Sequence, residues 1–368
     1  MKKFVSLASL LTLLALVALL AAGCQAPAET KPETAKPETT EPEKTESGTA
    51  EPGAAATEFP KMELRFSTST SPSEASYEGI MKMKEYVEEK TGGQVTIEIY
   101  AQSSLFTQEQ EIPAIMKGNL EMCFSEAPWL VDYMPELAMY GSAYLFESFD
   151  HWDKFYSGEL GQEMFENVAE TLKVRPMGAV YLGARLINLT EDKEVLSRED
   201  LKGVKLRMPS TDAWLFLGEA LGANPVPVGY ADLYLALQTG TVDGQDNPLP
   251  ALKNMSFYEV TKSATLSNHV IGTNWIMLSE ELWQSMSDEL KQIISDGVKI
   301  AEDHINQTNL SLEAELIPWL EEQGMSIYQP TPEALETLRK EVVDYYFAHE
   351  EVVGDWDMDM YQRIQDLA

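Results

Sequence analysis

Cysteine is nearly absent from this chain of 368 residues, which has only Cys24 and Cys123. Histidine is scarce too, at four, and Lys and Arg (27) are outnumbered by Asp and Glu (60). Two cysteines cannot form a disulfide framework, and a chain this long buries a sufficient core without one. The histidines (His151, His269, His304, His349) show no metal-ligand spacing, and none follows a Glu-x-x pattern. A Gly-x-Ser-x-Gly elbow and a Gly-x-x-x-x-Gly-Lys phosphate loop are missing. Cys123 sits between Met122 and Phe124, where a small buried hydrophobe is expected, with no activating partner nearby. The formal net charge of −33 makes nucleic acid and anionic lipid poor partners for the body of the protein. Nothing in the chain asks for catalysis, a cofactor or a metal.

What is present begins with an address. Lys2 and Lys3 precede an apolar run from Phe4 to Leu20, and Ala21-Ala22-Gly23 leads to Cys24. Residues 1–23 read as a secretory signal peptide. The cysteine directly after Ala-Ala-Gly resembles a bacterial lipobox, which implies cleavage before Cys24 and lipid on its thiol. Cleavage elsewhere, or an uncleaved anchor of near-spanning length, is the alternative. Each reading places the body outside the cytoplasm, in a periplasm or on the outer face of the cytoplasmic membrane. Residues 24–60 form a lipidated acidic, Pro-rich tether. From Gln25 to Gly53 they contain no aromatic residue, so they cannot bury enough surface to fold. Such a tether reaches roughly 30 Å as a coil and about 90 Å when extended.

The body, from Lys61 to Ala368, reads as α/β. Strands are expected at Met62–Ser67, Val95–Tyr100 and Leu120–Phe124, with helices at Glu78–Lys90 and Glu109–Lys117 between them. The second half repeats this grammar, with strands at Val174–Tyr181 and Lys205–Met208 and helices at Thr211–Leu221 and Ala231–Thr239. Alternation of this kind predicts parallel sheets flanked by helices. Asp288 to Glu322 carries apolar residues every three or four positions, and roughly 30 helical residues span about 45 Å. The expectation is a two-lobed clamp, each lobe a sheet flanked by helices, with one long helix spanning both. Lobe I would hold 61–183 plus about 273–312, and lobe II 184–272 plus about 313–368.

Arg207 stands at the end of its strand, just before Met208-Pro209. Ligands in open α/β sheets bind beyond the carboxyl ends of strands, and a guanidinium there matches a carboxylate with two parallel hydrogen bonds. Spacing alone equally allows a surface arginine paired with a glutamate. The stretch from Asp200 to Pro209, then Leu221-Gly222-Ala223-Asn224-Pro225-Val226-Pro227, then Tyr234 to Pro248 resembles the solute-binding subunits of TRAP transporters, the DctP family. Weaker similarity runs from about Met62 to Phe347. The resemblance implies a periplasmic-binding-protein-like clamp that captures a small organic acid and delivers it to membrane permease subunits driven by a sodium gradient. It places the carboxylate clamp on Arg207, a second arginine on Arg185, and further contacts on Asn247, Tyr230, Glu126 and Ser69. The resemblance also departs from the family at Ser103 to Thr107, where relatives often have Ser-Gln-Leu-Gly. Trp214 stands where sialic-acid binders carry a smaller polar residue, which implies a smaller pocket. A solute-binding lipoprotein of an ABC importer for a non-acidic solute shares the lipobox, tether and lobes. A structural surface protein would need no closing cleft.

Overall fold

The structure, a computed structural model, describes residues 59–368. The signal segment, Cys24 and nearly all of the tether lie outside the described residues. Phe59, within the stretch assigned to the tether, is buried in the apolar cluster around Leu64 and Phe66, so the folded body includes it.

Alternating burial of Leu64 and Phe66 makes β1 (Met62–Ser67). The next helix, α1 (Ala75–Lys90), buries Ile80, Met83 and Val87 at helical spacing. Then come β2 (Val95–Tyr100), α2 (Gln108–Met116), β3 (Met122–Ser125), α3 (Phe149–Tyr156), α4 (Glu159–Leu172) and β4 (Val174–Leu189). They are followed by β5 (Lys205–Met208), α5 (Asp212–Ala220), β6 (Asn224–Pro227), α6 (Leu233–Gln238), β7 (Gly244–Pro248) and α7 (Leu249–Asn254). The chain continues with β8 (Ser263–Thr265), β9 (Ile271–Ser279), α8 (Glu280–Ser285), α9 (Asp288–Glu322) and β10 (Ser326–Tyr328). It ends with α10 (Pro332–Phe347), α11 (Glu350–Val353) and α12 (Met358–Gln365).

The strands run in the order β2-β1-β3-β9-β4-β7-β5-β6, with β8 on β4 and β10 on β8. Only the flanks are parallel, as the strand–helix–strand grammar predicts. In the middle, β9 and β4 run antiparallel to each other and to β3, β7 and β8. The 16-residue β4 is twice the length expected, because Val174–Ala184 pairs with β9 and Arg185–Leu189 pairs with β7. One strand thus carries the chain from the first sheet to the second. Its register shifts between Tyr181 and Gly183, and Gly183 has φ +112.

The long helix matches its expected limits, with Asp288 first and Glu322 last, and continues past Pro318. Its buried stripe (Leu290, Ile294, Val298, Ala301, Ile305) joins the cluster around β1 and α1, whereas Leu316 and Leu320 join the cluster around α6 and α7. Between the two stripes, polar side chains meet β4 at its irregularity. Tyr181 N–H donates to Asn306 Oδ1, Asn309 Nδ2 donates to the Tyr181 carbonyl, and Ala184 N–H donates to Glu313 Oε1, each at 2.7 Å. These bonds satisfy backbone groups near the register shift in the β4–β9 ladder.

The C-terminal segment packs in two places. α10 packs on α5, with Phe216 edge-on to Tyr346 at 5.0 Å, on the second-sheet side. α12 instead returns to the first side, where His151 Nε2 meets the Ile364 carbonyl at 2.7 Å and Gln365 Nε2 donates to Leu145 at 2.9 Å. Met360 and Ile364 are buried there.

Candidate functional site

A cavity enclosing about 740 Å³, its solvent-open mouth included, lies where β1, β3, β5 and β7 end, beside the middle of β4. Ser69, Glu126, Arg185, Arg207, Tyr230 and Asn247 all line it. Six residues separated by up to 178 positions therefore reach one space: Arg185 stands where β4 passes from β9 to β7, and the others stand near a strand end or in the segment that follows one.

Arg207 is 2% exposed, on β5 between β6 and β7. Its Nε donates to the Val228 carbonyl at 2.7 Å, and neither terminal nitrogen has an acceptor among the described residues. Burial draws this guanidinium down to about 10; Asp246 opposes the shift and Arg185 adds to it. A buried cation without a counter-charge is costly to keep.

Arg185 differs. It lines the cavity, yet it directs three hydrogen bonds to Asp246: Nε to Oδ2 at 2.9 Å, NH2 to Oδ1 at 3.0 Å and NH2 to the carbonyl at 2.6 Å. Burial alone would push the Asp246 carboxyl up, but Arg185 and the donors around it hold it at about 2. His269 Nε2 lies 3.2 Å from Asp246 Oδ2, and its Nδ1 lies 2.8 Å from Ser267 Oγ. Trp214 does not reach the cavity wall, contrary to the expectation that it narrows the pocket. It is 1% exposed beneath Arg185, whose guanidinium sits 4.4 Å from the ring centroid. A cation–π contact of this kind orients Arg185.

Asn247 Nδ2 donates to Gln245 Oε1 at 2.6 Å, and Gln245 Nε2 donates to Asn188 Oδ1 at 2.9 Å, which leaves the Asn247 amide oxygen at the cavity. Glu126, half-buried, is raised to about 7 by burial, against the pull of Arg185. Tyr230 sets its ring edge-on to Phe257 at 6.3 Å. Across the mouth, Ser210 Oγ, just after β5, donates to Glu109 Oε1 on the first turn of α2 at 2.8 Å. This bond joins the first-sheet side to the second.

Sequence reasoning missed Asp246 and His269, which fix Arg185, and Glu74, which lines the cavity. In so acidic a chain a single Asp or Glu carries no distinguishing signal, and His269 lies outside every motif. Asp246 was adjacent to Asn247 in Gly244-Gln245-Asp246-Asn247-Pro248, and that position was the one available hint.

Residues 66–351 match the family described as bacterial extracellular solute-binding protein, family 7, or DctP. The chain is 30% identical over 292 residues to the sialic acid-binding periplasmic protein SiaP of Vibrio cholerae, covering 78% of this chain and 90% of that one. It is 25% identical over 247 residues to the C4-dicarboxylate-binding periplasmic protein DctP of Rhodobacter capsulatus, covering 66% of this chain and 72% of that one. A crystal structure of a TRAP periplasmic solute-binding protein from Roseobacter denitrificans, with bound 3-deoxy-D-manno-oct-2-ulosonic acid, superposes with a TM-score of 0.79 at 35% identity. That match covers 84% of this chain and 100% of the other. With its fold, its cleft and these similarities together, the chain belongs to the DctP family of TRAP extracytoplasmic solute-binding proteins.

Proposed function

We propose that this protein is the receptor of a sodium-coupled, ATP-independent TRAP transporter, and that it captures a small organic acid through a bidentate ion pair with Arg207. One observation carries the reading: Arg207 is buried in the cleft with both terminal nitrogens uncommitted. A ligand carboxylate supplies the counter-charge that the protein withholds. Asn247, Tyr230, Glu126 and Ser69 complete the contacts, and Arg185, fixed and neutralised by Asp246, lines the wall beside them. Relatives with bound or named sugar acids and C4-dicarboxylates support the ligand class.

The ligand binds the closed cleft better than the open one, since otherwise it would shift nothing. Bending at the β4 crossing separates the two sides, and the Glu109–Ser210 bond forms as they meet. The closed form docks on the permease subunits. Cys24, lipidated, holds the protein at the membrane, and the acidic tether lets the body reach its partner. The protein performs no chemistry on the ligand.

The test is a melting-temperature screen of the purified protein against organic acids, neutral sugars and amino acids. Arg207→Ala is expected to weaken binding by about 2–5 kcal/mol, roughly 30- to 5,000-fold in Kd. Stabilisation by neutral sugars with Arg207 dispensable would move the protein to an ABC-type receptor.

A further inference from the structure

Two acids, Glu74 and Glu126, and two arginines line the cavity. Its cations are Arg185 and Arg207, and Arg185 is already neutralised by Asp246. Glu126 lies in the field of both arginines. Glu74, at the entry to α1, also lines the cavity and makes no ion pair. Its Oε1 accepts from Ser71 N–H at 2.6 Å, and its Oε2 has no donor from the protein. Glu74, Tyr230 and the two arginines line the same cavity, so the carboxyl and the guanidinium groups share one space.

We propose that Glu74 determines specificity in this cleft, confining it to acids with a single carboxylate and a hydroxyl-bearing remainder and excluding dicarboxylates. The inference rests on the reading of Arg207 as the carboxylate clamp. One carboxylate satisfies Arg207, and the described residues lining the cavity offer no second unpaired cation for another. A second carboxylate would enter a wall formed by Glu74 and neutral side chains such as Thr70, Asn254 and Asn274. Like charges a few ångströms apart in a partly desolvated site repel. A hydroxyl there donates to the open Glu74 oxygen instead, and a charge-assisted bond of that kind is stronger than a neutral one. Burial raises the Glu74 carboxyl to about 7, so below neutrality it is protonated in part and the exclusion weakens.

Calorimetric titration of the full-length protein and of Glu74→Gln at pH 8, with galactonate, 3-deoxy-D-manno-oct-2-ulosonate and succinate as probes, tests this. The wild type is expected to bind the tighter hydroxy acid at least about 100-fold better than succinate. Glu74→Gln keeps an acceptor for Ser71 N–H and is expected to narrow that ratio at least tenfold, by weakening the hydroxy acid, strengthening succinate, or both. Succinate bound as tightly as the hydroxy acids by the wild type overturns the proposal, as does an unchanged ratio in a folded Glu74→Gln. Either result leaves the acid receptor standing. Binding of no probe, or acid binding that survives Arg207→Ala, removes the carboxylate clamp and this inference with it.

Discussion

Replacing Arg207 with methionine should stabilise the unliganded protein while removing its affinity for acids. The cavity draws the guanidinium from its ordinary value to about 10, which corresponds to roughly 3 kcal/mol held against the charged form. Arg207 is cationic in both the folded and unfolded chain at pH 7, and its folded value is the lower. The penalty is therefore complete at neutrality and fades only as pH rises through about 10. Methionine keeps the apolar stem and deletes the charge. The Val228 carbonyl loses its Nε donor, a loss of about 1 kcal/mol, so the net gain is about 2 kcal/mol. Arg185→Met provides the contrast, because it leaves Asp246 buried at 0% exposure without its cation and should lose about 3–5 kcal/mol. Urea unfolding without ligand reads both. The midpoint of Arg207→Met should rise with an unchanged slope, and that of Arg185→Met should fall. If Arg207→Met unfolds at lower urea than the wild type, Arg207 is a structural group and the argument from its unpaired nitrogens fails.

Two further perturbations test the fold around the site. Burial pushes the carboxyls of Glu74, Glu126 and Glu302 up to about 7, so between roughly pH 4.5 and 7 the folded chain holds protons that the unfolded chain has released. Stability should therefore fall as pH rises through that window, and a melting temperature that climbs from pH 5 to 8 without ligand would contradict it. Gly183→Ala puts a Cβ 2.8 Å from Pro248 Cβ at φ +112, which should lower stability by about 1–3 kcal/mol in the same urea assay; no loss would mean that the crossing accommodates a side chain.

The outer elements were legible because local pattern determines them. The period-2 burial of β1, the helical stripe of α1 and the uninterrupted stripe of α9 all occur where they were expected. The centre was not legible. The second half of β4 follows Gly183, a residue that ordinarily breaks a strand, and the backbone on either side of it, at Tyr181 and Ala184, is held by Asn306, Asn309 and Glu313 from a helix more than a hundred residues away. No local signal encodes such a support. At the site, Arg207 was readable because the strand stops directly after it. The pairing of Arg185 with Asp246 was not readable, since Asp246 is one acid among 60 acidic residues, and Trp214 lies under Arg185 rather than in the cavity wall.

The strand order has a consequence for when this protein can fold. β9 lies between β3 and β4, yet its residues, Ile271–Ser279, come about 80 positions after β4 ends. Until they are available, β3 and the first part of the crossing strand have no shared neighbour, and each exposes an unpaired edge. The α9 residues that hold the crossing come later still. Pairings this distant in sequence close slowly. The N-terminal half of the chain therefore cannot settle ahead of the rest, a property suited to a polypeptide that crosses a membrane first and folds on the far side.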